Sequence, residues 1–93
     1  MKSERGDDFN RCYFLLPSHV RKRAVKNYAL WRTDPWHPSL RFREVLPGEW
    51  SIRIGKQYRA IGTMSSMEGE GESIVWHWVG SHNAYDKRLR EMH

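Results

Sequence analysis

Arginine and histidine supply most of the chemistry open to this sequence. Eleven of its sixteen basic residues are Arg, and five His accompany them. A guanidinium is a planar fork of donors that matches two phosphoryl or carboxylate oxygens and keeps its charge at any working pH. An unperturbed imidazole titrates near ~6.5, so it can give or take a proton at neutral pH. His19, His37, His77, His82 and His93 include no pair at the i, i+4 spacing and no other recognised ligand motif. The pattern therefore favours proton transfer over a metal centre. The single cysteine, Cys12, can make no intrachain disulfide and reads as a small buried hydrophobe.

Sixteen Lys and Arg stand against eleven Asp and Glu, a formal charge of +5. Glu68, Glu70 and Glu72 share one Gly-rich stretch, so elsewhere sixteen cations face eight acids. That bias suits a partner bearing phosphates or carboxylates, although solvated charges on a soluble basic protein give the same count. The 93 residues leave room for one domain, and 39% apolar residues with five Trp supply more core material than a disordered segment carries. We read residues 1–93 as a single domain, with 1–6 flexible and 87–93 a short tail. No stretch approaches the ~20 apolar residues of a membrane span, and no charged start followed by an apolar run marks a secretory leader. A cytoplasmic protein without a membrane partner is the simplest expectation.

These side chains need a scaffold, and the spacing of apolar residues outlines one. Phe9, Cys12, Tyr13 and Leu16 stand at i, i+3, i+4 and i+7, the stripe of a short helix that starts near Asp7 or Asp8 and stops at Pro17. Ser18 caps a second helix of about fifteen residues, with Val20, Ala24, Tyr28 and Trp31 on one face and Arg21, Lys22, Lys26 and Arg32 elsewhere. Pro35 and Pro38 hold an extended connection. Strands follow over Leu40–Leu46, Trp50–Ile54, Tyr58–Met64 and Ser73–Ser81, separated by Pro47-Gly48, by Gly55-Lys56-Gln57 and by a flexible acidic loop over 65–72. In the last strand Ile74, Trp76 and Trp78 share a face that His77 opposes. The expectation is an α+β fold: an N-terminal helical hairpin packed on a single antiparallel sheet of about four strands, with a short C-terminal tail.

A helical hairpin covers one face of such a sheet, and the other meets water or a ligand. Trp50, Ile52 and Ile54 belong under the helices, which leaves Arg53, Ser51 and, in the same register, Arg59 on the open face. A slip of one residue would exchange the two sets. Solvated strand residues are the plainer alternative for both arginines.

Three segments in order carry a resemblance. They are Asp34-Pro35-Trp36-His37-Pro38-Ser39-Leu40, then Trp50-Ser51-Ile52-Arg53-Ile54-Gly55 with Tyr58-Arg59-Ala60, then Trp76-His77-Trp78-Val79-Gly80-Ser81-His82 with Tyr85-Asp86. Together they resemble the RelE/ParE superfamily of type II toxin-antitoxin toxins, in particular its HigB-like and YoeB-like members, whose last strand ends in a short His-containing motif. The resemblance spans Phe9 to Asp86. The RelE pattern has a first strand before the helices, paired lysines, and an arginine near the end of the last strand. Here the chain starts almost directly with a helix, Ser51 and Arg53 stand where the lysines would be, and His82 replaces the arginine.

What the resemblance implies is the toxin of a type II pair, a RelE-like mRNA endoribonuclease that works by acid-base chemistry without a metal or other cofactor. It would cut messenger held by the ribosome and so inhibit translation. A cognate antitoxin would neutralise it, in a complex that is a higher-order oligomer. Cleavage by the 2′-hydroxyl of RNA needs a base for that proton, cations at the pentacoordinate phosphate and an acid for the leaving 5′-oxygen. Arg53 and Arg59 would meet the phosphate, His82 would transfer a proton, and Tyr85 would hydrogen-bond the phosphate or stack on a base. Arg41, Arg43, Ser51 and His37 would hold the substrate around them. Each has a plainer alternative: for Tyr85 the anchoring of the tail, for His82 packing on Tyr85, for His37 a turn cap. Two other functions share the fold: a ParE-like toxin that binds gyrase without nuclease chemistry, and a catalytically inactive RNA-binding or antitoxin-binding module. His82 with two arginines favours the nuclease, because a gyrase poison has no need of a titrating group.

Overall fold

The computed structural model describes every residue except Glu68 and Glu70. Its elements are β1 (Lys2–Arg5), α1 (Asp7–Phe14), α2 (Ser18–Thr33), a 3-10 turn (Pro38–Leu40), β2 (Arg43–Leu46), β3 (Glu49–Ile54), β4 (Tyr58–Met67), β5 (Gly71–Ser81) and α3 (His82–Met92). The strands form one sheet in the order β1-β5-β4-β3-β2. Pairing is antiparallel from β2 to β5 and parallel between β5 and β1.

The amphipathic stripe places α1 and α2 on one face, α1 over β5 and α2 over β3. Asp7 and Asp8 in the first turn of α1 suit the positive end of its dipole. Ile52 and Ile54 turn inward from β3 and Ala60 from β4, meeting Val20, Ala24 and Trp31 of α2 in one core. Trp31 is its hub, 2% exposed. It meets Phe42 and Trp76 edge-on, with ring centroids 5.7 and 5.5 Å away. Edge-to-face contacts of this kind add to the burial of area.

The sheet departs from four antiparallel strands at its start. Residues 2–5, expected to be flexible, form β1 and pair in parallel with Ser73–Trp76 of β5. Lys-Ser-Glu-Arg has no apolar alternation to announce a strand. Backbone pairing holds it, with a hydroxyl contact between Ser3 and Tyr28. A polar strand of this kind also guards a sheet edge against unwanted pairing.

The short tail is a helix. Ser81 caps α3 by accepting the Ala84 N–H at 3.2 Å, and Tyr85, Leu89 and Met92 recur at i, i+4 and i+7. α3 lies on the sheet face opposite α1 and α2, where it helps to bury Tyr85 (5% exposed), Ser51 (3%) and Ile61 (0%). The face expected to be open is therefore partly covered.

Three smaller corrections affect direction. The stretch Leu40–Leu46 is not one strand, because Arg41 takes a left-handed conformation at φ 47° and separates the 3-10 turn from β2. In β5, Trp76 pairs with Gly62 and Trp78 with Ile61, so His77 is the extra residue of a bulge. The bulge resets the alternation: Ile74, Trp76 and Val79 face the core, whereas Trp78 and His77 share the other face. Finally, β4 runs to Met67 and β5 resumes at Gly71, so most of the expected loop is paired strand. Of its acids, Glu72 pairs opposite Ser66 within the hairpin, and Glu68 and Glu70 lie outside the described residues. Among the described residues no helix is long and apolar enough to cross a membrane.

Gly62 is where the sheet tolerates no side chain. A Cβ there would lie 2.7 Å from Ile74 Cγ1 and 2.9 Å from Trp76 Cε3, both inside the core. Gly62→Ala should cost about 1–3 kcal/mol, the usual penalty of overpacking. Urea unfolding should show it as a lower midpoint at unchanged slope, and a wild-type midpoint would contradict the packing described here.

Candidate functional site

The register of β3 and β4 sets Arg53 directly opposite Arg59. Both point away from the core, because their neighbours Ile52, Ile54 and Ala60 point into it. Each guanidinium is steadied by one backbone carbonyl: Arg53 Nε donates to Gly55 O at 2.9 Å, and Arg59 Nη1 donates to Tyr58 O at 2.8 Å. Arg43 joins this face from β2, opposite Ser51. Arg41 follows the 3-10 turn, exposed. Among the described residues none of the four arginines has a carboxylate ion-pair partner; Asp8, Glu49, Asp86 and Glu91 face Arg11, His77, His82 and Arg88 instead.

The crowding registers on Arg59. Burial is the largest cause holding its pKa below the ordinary value, and the charge of Arg53 is the next. Tyr85 acts in the opposite direction, while Arg41 and Arg43 add to the lowering. Four cations that repel one another, with no carboxylate partner among the described residues, make an arrangement that an external anion can satisfy. Forked arginine donors suit a phosphodiester.

α3 brings the remaining residues to this cluster. The Tyr85 hydroxyl donates to Ser51 Oγ at 3.2 Å, both buried, so Tyr85 anchors the helix and Ser51 holds its ring rather than facing solvent. Trp78 packs beside it, ring centroids 6.4 Å apart. One turn earlier, His82 opens the helix with its backbone N–H on Gln57 O at 2.6 Å, at the β4 end that carries Arg59. Its ring is exposed, 6.2 Å from that of Tyr85. Asp86 Oδ2 is 3.7 Å from His82 Nδ1, longer than a hydrogen bond and within reach of an ion pair.

Arg53, Arg59, Arg43, Arg41, Tyr85 and Ser51 thus converge, with His82 at their margin. His37 is occupied otherwise: its Nδ1 accepts the Ser39 N–H at 3.2 Å and contacts Ser39 Oγ at 2.8 Å, capping the 3-10 turn. His77 bonds Glu49 Oε1 at 2.6 Å, bridging β5 to β3 across β4. Sequence reasoning missed Asp86 and Glu49. Asp86 stands at i+4 from His82, a relation visible once the tail is read as a helix. The Glu49–His77 pair depends on the bulge and has no sequence signal. Among the described residues no three His, Cys, Asp or Glu side chains gather as metal ligands would. A groove of about 410 Å³ between α1 and α2, lined by residues that include Phe9, Tyr13, Tyr28 and Ile52, opens on the opposite face.

A sheet backed by two helices, with a third helix beside arginines on its other face, has the fold of the RelE/ParE toxins. The YoeB/ParE toxin from Agrobacterium tumefaciens superposes with a TM-score of 0.64 over 88% of this chain and 99% of its own, at 15% identity. RelE in the RelB-RelE antitoxin-toxin complex of Methanococcus jannaschii gives 0.62 over 89% and 95%, at 17% identity. The isolated Escherichia coli RelE toxin gives 0.60 over 99% and 98%, at 14% identity. No family model matches the sequence, and no curated protein does.

A cation whose pKa is lower in the folded than in the unfolded state opposes folding wherever both states carry the charge. Arginine keeps its charge at any working pH, so the penalty is fully present at neutral pH. Arg59→Gln should accordingly melt at or above the wild-type temperature in dilute buffer. Inorganic phosphate, by binding the native cluster, should raise the wild-type midpoint more than the variant's. A variant that melts clearly lower would assign Arg59 to the fold instead of to a ligand.

Proposed function

We propose that this protein is the toxin of a type II toxin-antitoxin pair, acting as a ribosome-dependent mRNA endoribonuclease that uses acid-base chemistry without a metal. The observation that carries the reading is the arginine cluster, which has no carboxylate partner among the described residues, bordered by an exposed histidine on a RelE-like sheet. Arg59 and Arg53 grip the scissile phosphate and stabilise its extra charge in the transition state. Arg41 and Arg43 follow the backbone beyond it. His82 is the proton-transfer group: Asp86 faces Nδ1 and leaves Nε2 for the substrate. Tyr85 fixes α3, and with it His82, against the sheet, while Ser51 acts through Tyr85.

The reaction itself is simple to balance. The 2′-oxygen attacks the adjacent phosphorus as its proton leaves, the P–O5′ bond breaks, and the 5′-oxygen gains a proton. His82 serves one of these two transfers. Solvent water takes or supplies the other proton, since His37 is held as the cap of its turn.

The partners follow from the same reading. Related folds from Methanococcus jannaschii and Pyrococcus horikoshii are seen with RelB antitoxins, so a cognate antitoxin neutralises this chain, in a higher-order complex in the cytoplasm. The ParE-like alternative, gyrase inhibition without cleavage, leaves an exposed histidine next to an acid without a task.

The test is a translation reaction with ribosomes and a defined messenger, run beside a gyrase supercoiling assay. Discrete cleavage with unaffected supercoiling is expected; the reverse would turn the assignment to gyrase. His82→Ala should slow cleavage by about 10²- to 10⁴-fold with little change in affinity, and should lose a limb of the pH-rate profile. Arg59→Gln should weaken binding as well as the chemical step. Affinity for single-stranded RNA should fall with salt at a log-log slope of about −2 to −3, from ~0.7 per phosphate contact.

A further inference from the structure

Trp36 is unlike the other large aromatics that surround it. Trp31 and Trp76 are 2% and 3% exposed, whereas Trp36 leaves 61% of its surface in water. It is nevertheless held firmly. Its ring leans on Phe42 at 5.2 Å and on Trp50 at 6.0 Å, and those two rest on each other at 4.8 Å. The backbone is fixed as well: Pro35 and Pro38 flank the segment, His37 N donates to Asp34 O at 3.1 Å, and His37 caps the turn that follows. A rigid indole with an open surface needs little ordering to receive another flat ring.

Its neighbours indicate what kind of ring. Phe42, the residue on which Trp36 leans, stands in sequence between Arg41 and Arg43, two members of the cation cluster. Alternation sends the Phe42 ring to the helical face and the Arg43 side chain to the other. β2 is the edge strand of the sheet, so nothing in the sheet separates the two faces beyond it. A single strand whose phosphates lie on Arg43 and Arg41 therefore reaches Trp36 by turning round this edge. Of the acids nearby, Glu44 directs its carboxylate to the Gly48 N–H at 3.1 Å, and Asp34 is exposed at the far end of the turn.

We propose that Trp36 is a stacking platform for one nucleobase of a bound single-stranded RNA, a few nucleotides along the strand from the phosphate held by Arg53 and Arg59. The inference rests on the nuclease reading and deepens it, since it gives the substrate a second fixed point at the β2 edge. Stacking is tolerant of base identity, because every base presents a π-face. Trp36 thus adds affinity and register, not sequence choice. A hydrophobic anchor for a protein partner would use the same exposed ring. The two arginines that flank Phe42 across the β2 edge, without carboxylate partners among the described residues, favour a polyanion, and RNA supplies phosphates and flat bases together.

The experiment is a cycle between protein and RNA. Short single-stranded RNAs, each with one abasic site moved along the sequence, are bound to wild type and to Trp36→Ala under conditions that prevent turnover. One position is expected at which the abasic site weakens wild-type binding by about 5- to 100-fold, the loss usual for one stacked base. In Trp36→Ala the intact RNA should bind weaker by a similar factor, and the abasic site should cost nothing more. Trp36→Phe should restore most of the affinity. The salt slope should stay at its wild-type value in both variants, because no cation has been removed. Abasic losses that are equal in wild type and Trp36→Ala overturn the proposal, as does a shallower salt slope, which would mean that Arg41 or Arg43 had moved. Weaker antitoxin binding at unchanged RNA affinity overturns it in favour of a protein contact. If wild type neither binds nor cuts RNA, the nuclease reading fails first, a result distinct from all of these.

Discussion

Like charges set opposite one another across an antiparallel pair repel, and Arg53 and Arg59 are placed that way. Arg41 and Arg43 add to the same unfavourable field. The side chains beneath are what hold these four together. Ile52, Ile54 and Ala60 alternate with the arginines and are buried under α2, so the register cannot slip without exposing them. From α2, the Asn27 side-chain amide donates to Arg53 O at 2.9 Å and fastens the end of β3 just before its turn. The apolar face of the sheet thus stabilises what its polar face destabilises. Among the described residues no carboxylate pairs with these arginines to offset that repulsion.

This division explains which parts of the structure can be read from the residues. Both N-terminal helices, three of the strands and the outward direction of Arg53 and Arg59 follow from apolar spacing, because burial dictates them. β1 is silent by comparison: Lys2, Ser3, Glu4 and Arg5 contribute backbone hydrogen bonds to an edge, and such bonds leave no mark on residue type. The bulge at His77 is also invisible, since an extra residue in a strand looks like ordinary alternation until its pairing partner is known. α3 is legible too: Ser81 as cap and Tyr85, Leu89 and Met92 at helical spacing announce a helix where a short tail was expected. At the site, the arginines needed only the strand register, whereas the relation of His82 to Asp86 needed the helix.

The superpositions extend over nearly whole chains at 14 to 17% identity, which accords with a fold specified by the pattern of burial. Chemistry is specified otherwise, by a few polar side chains on a shared scaffold. In this chain those are carried by elements of different origin: the arginines by strands that the core fixes, and His82 by a helix that a single buried hydroxyl pair, Tyr85 with Ser51, helps to seat. Separate supports of this kind allow the arginine cluster to persist while the residue that opens α3 varies.

The parallel pairing of β1 with β5 has a bearing on how the chain comes into being. During synthesis the first strand emerges with no partner, and its place in the sheet exists only once the last strand has been made. Pairings between distant parts of a chain close slowly, because the entropy of the intervening loop must be overcome first. α3, which carries His82 and seats it, follows later still. A growing chain therefore displays its arginines well before it can complete the structure around them, since that structure waits for β5 and α3.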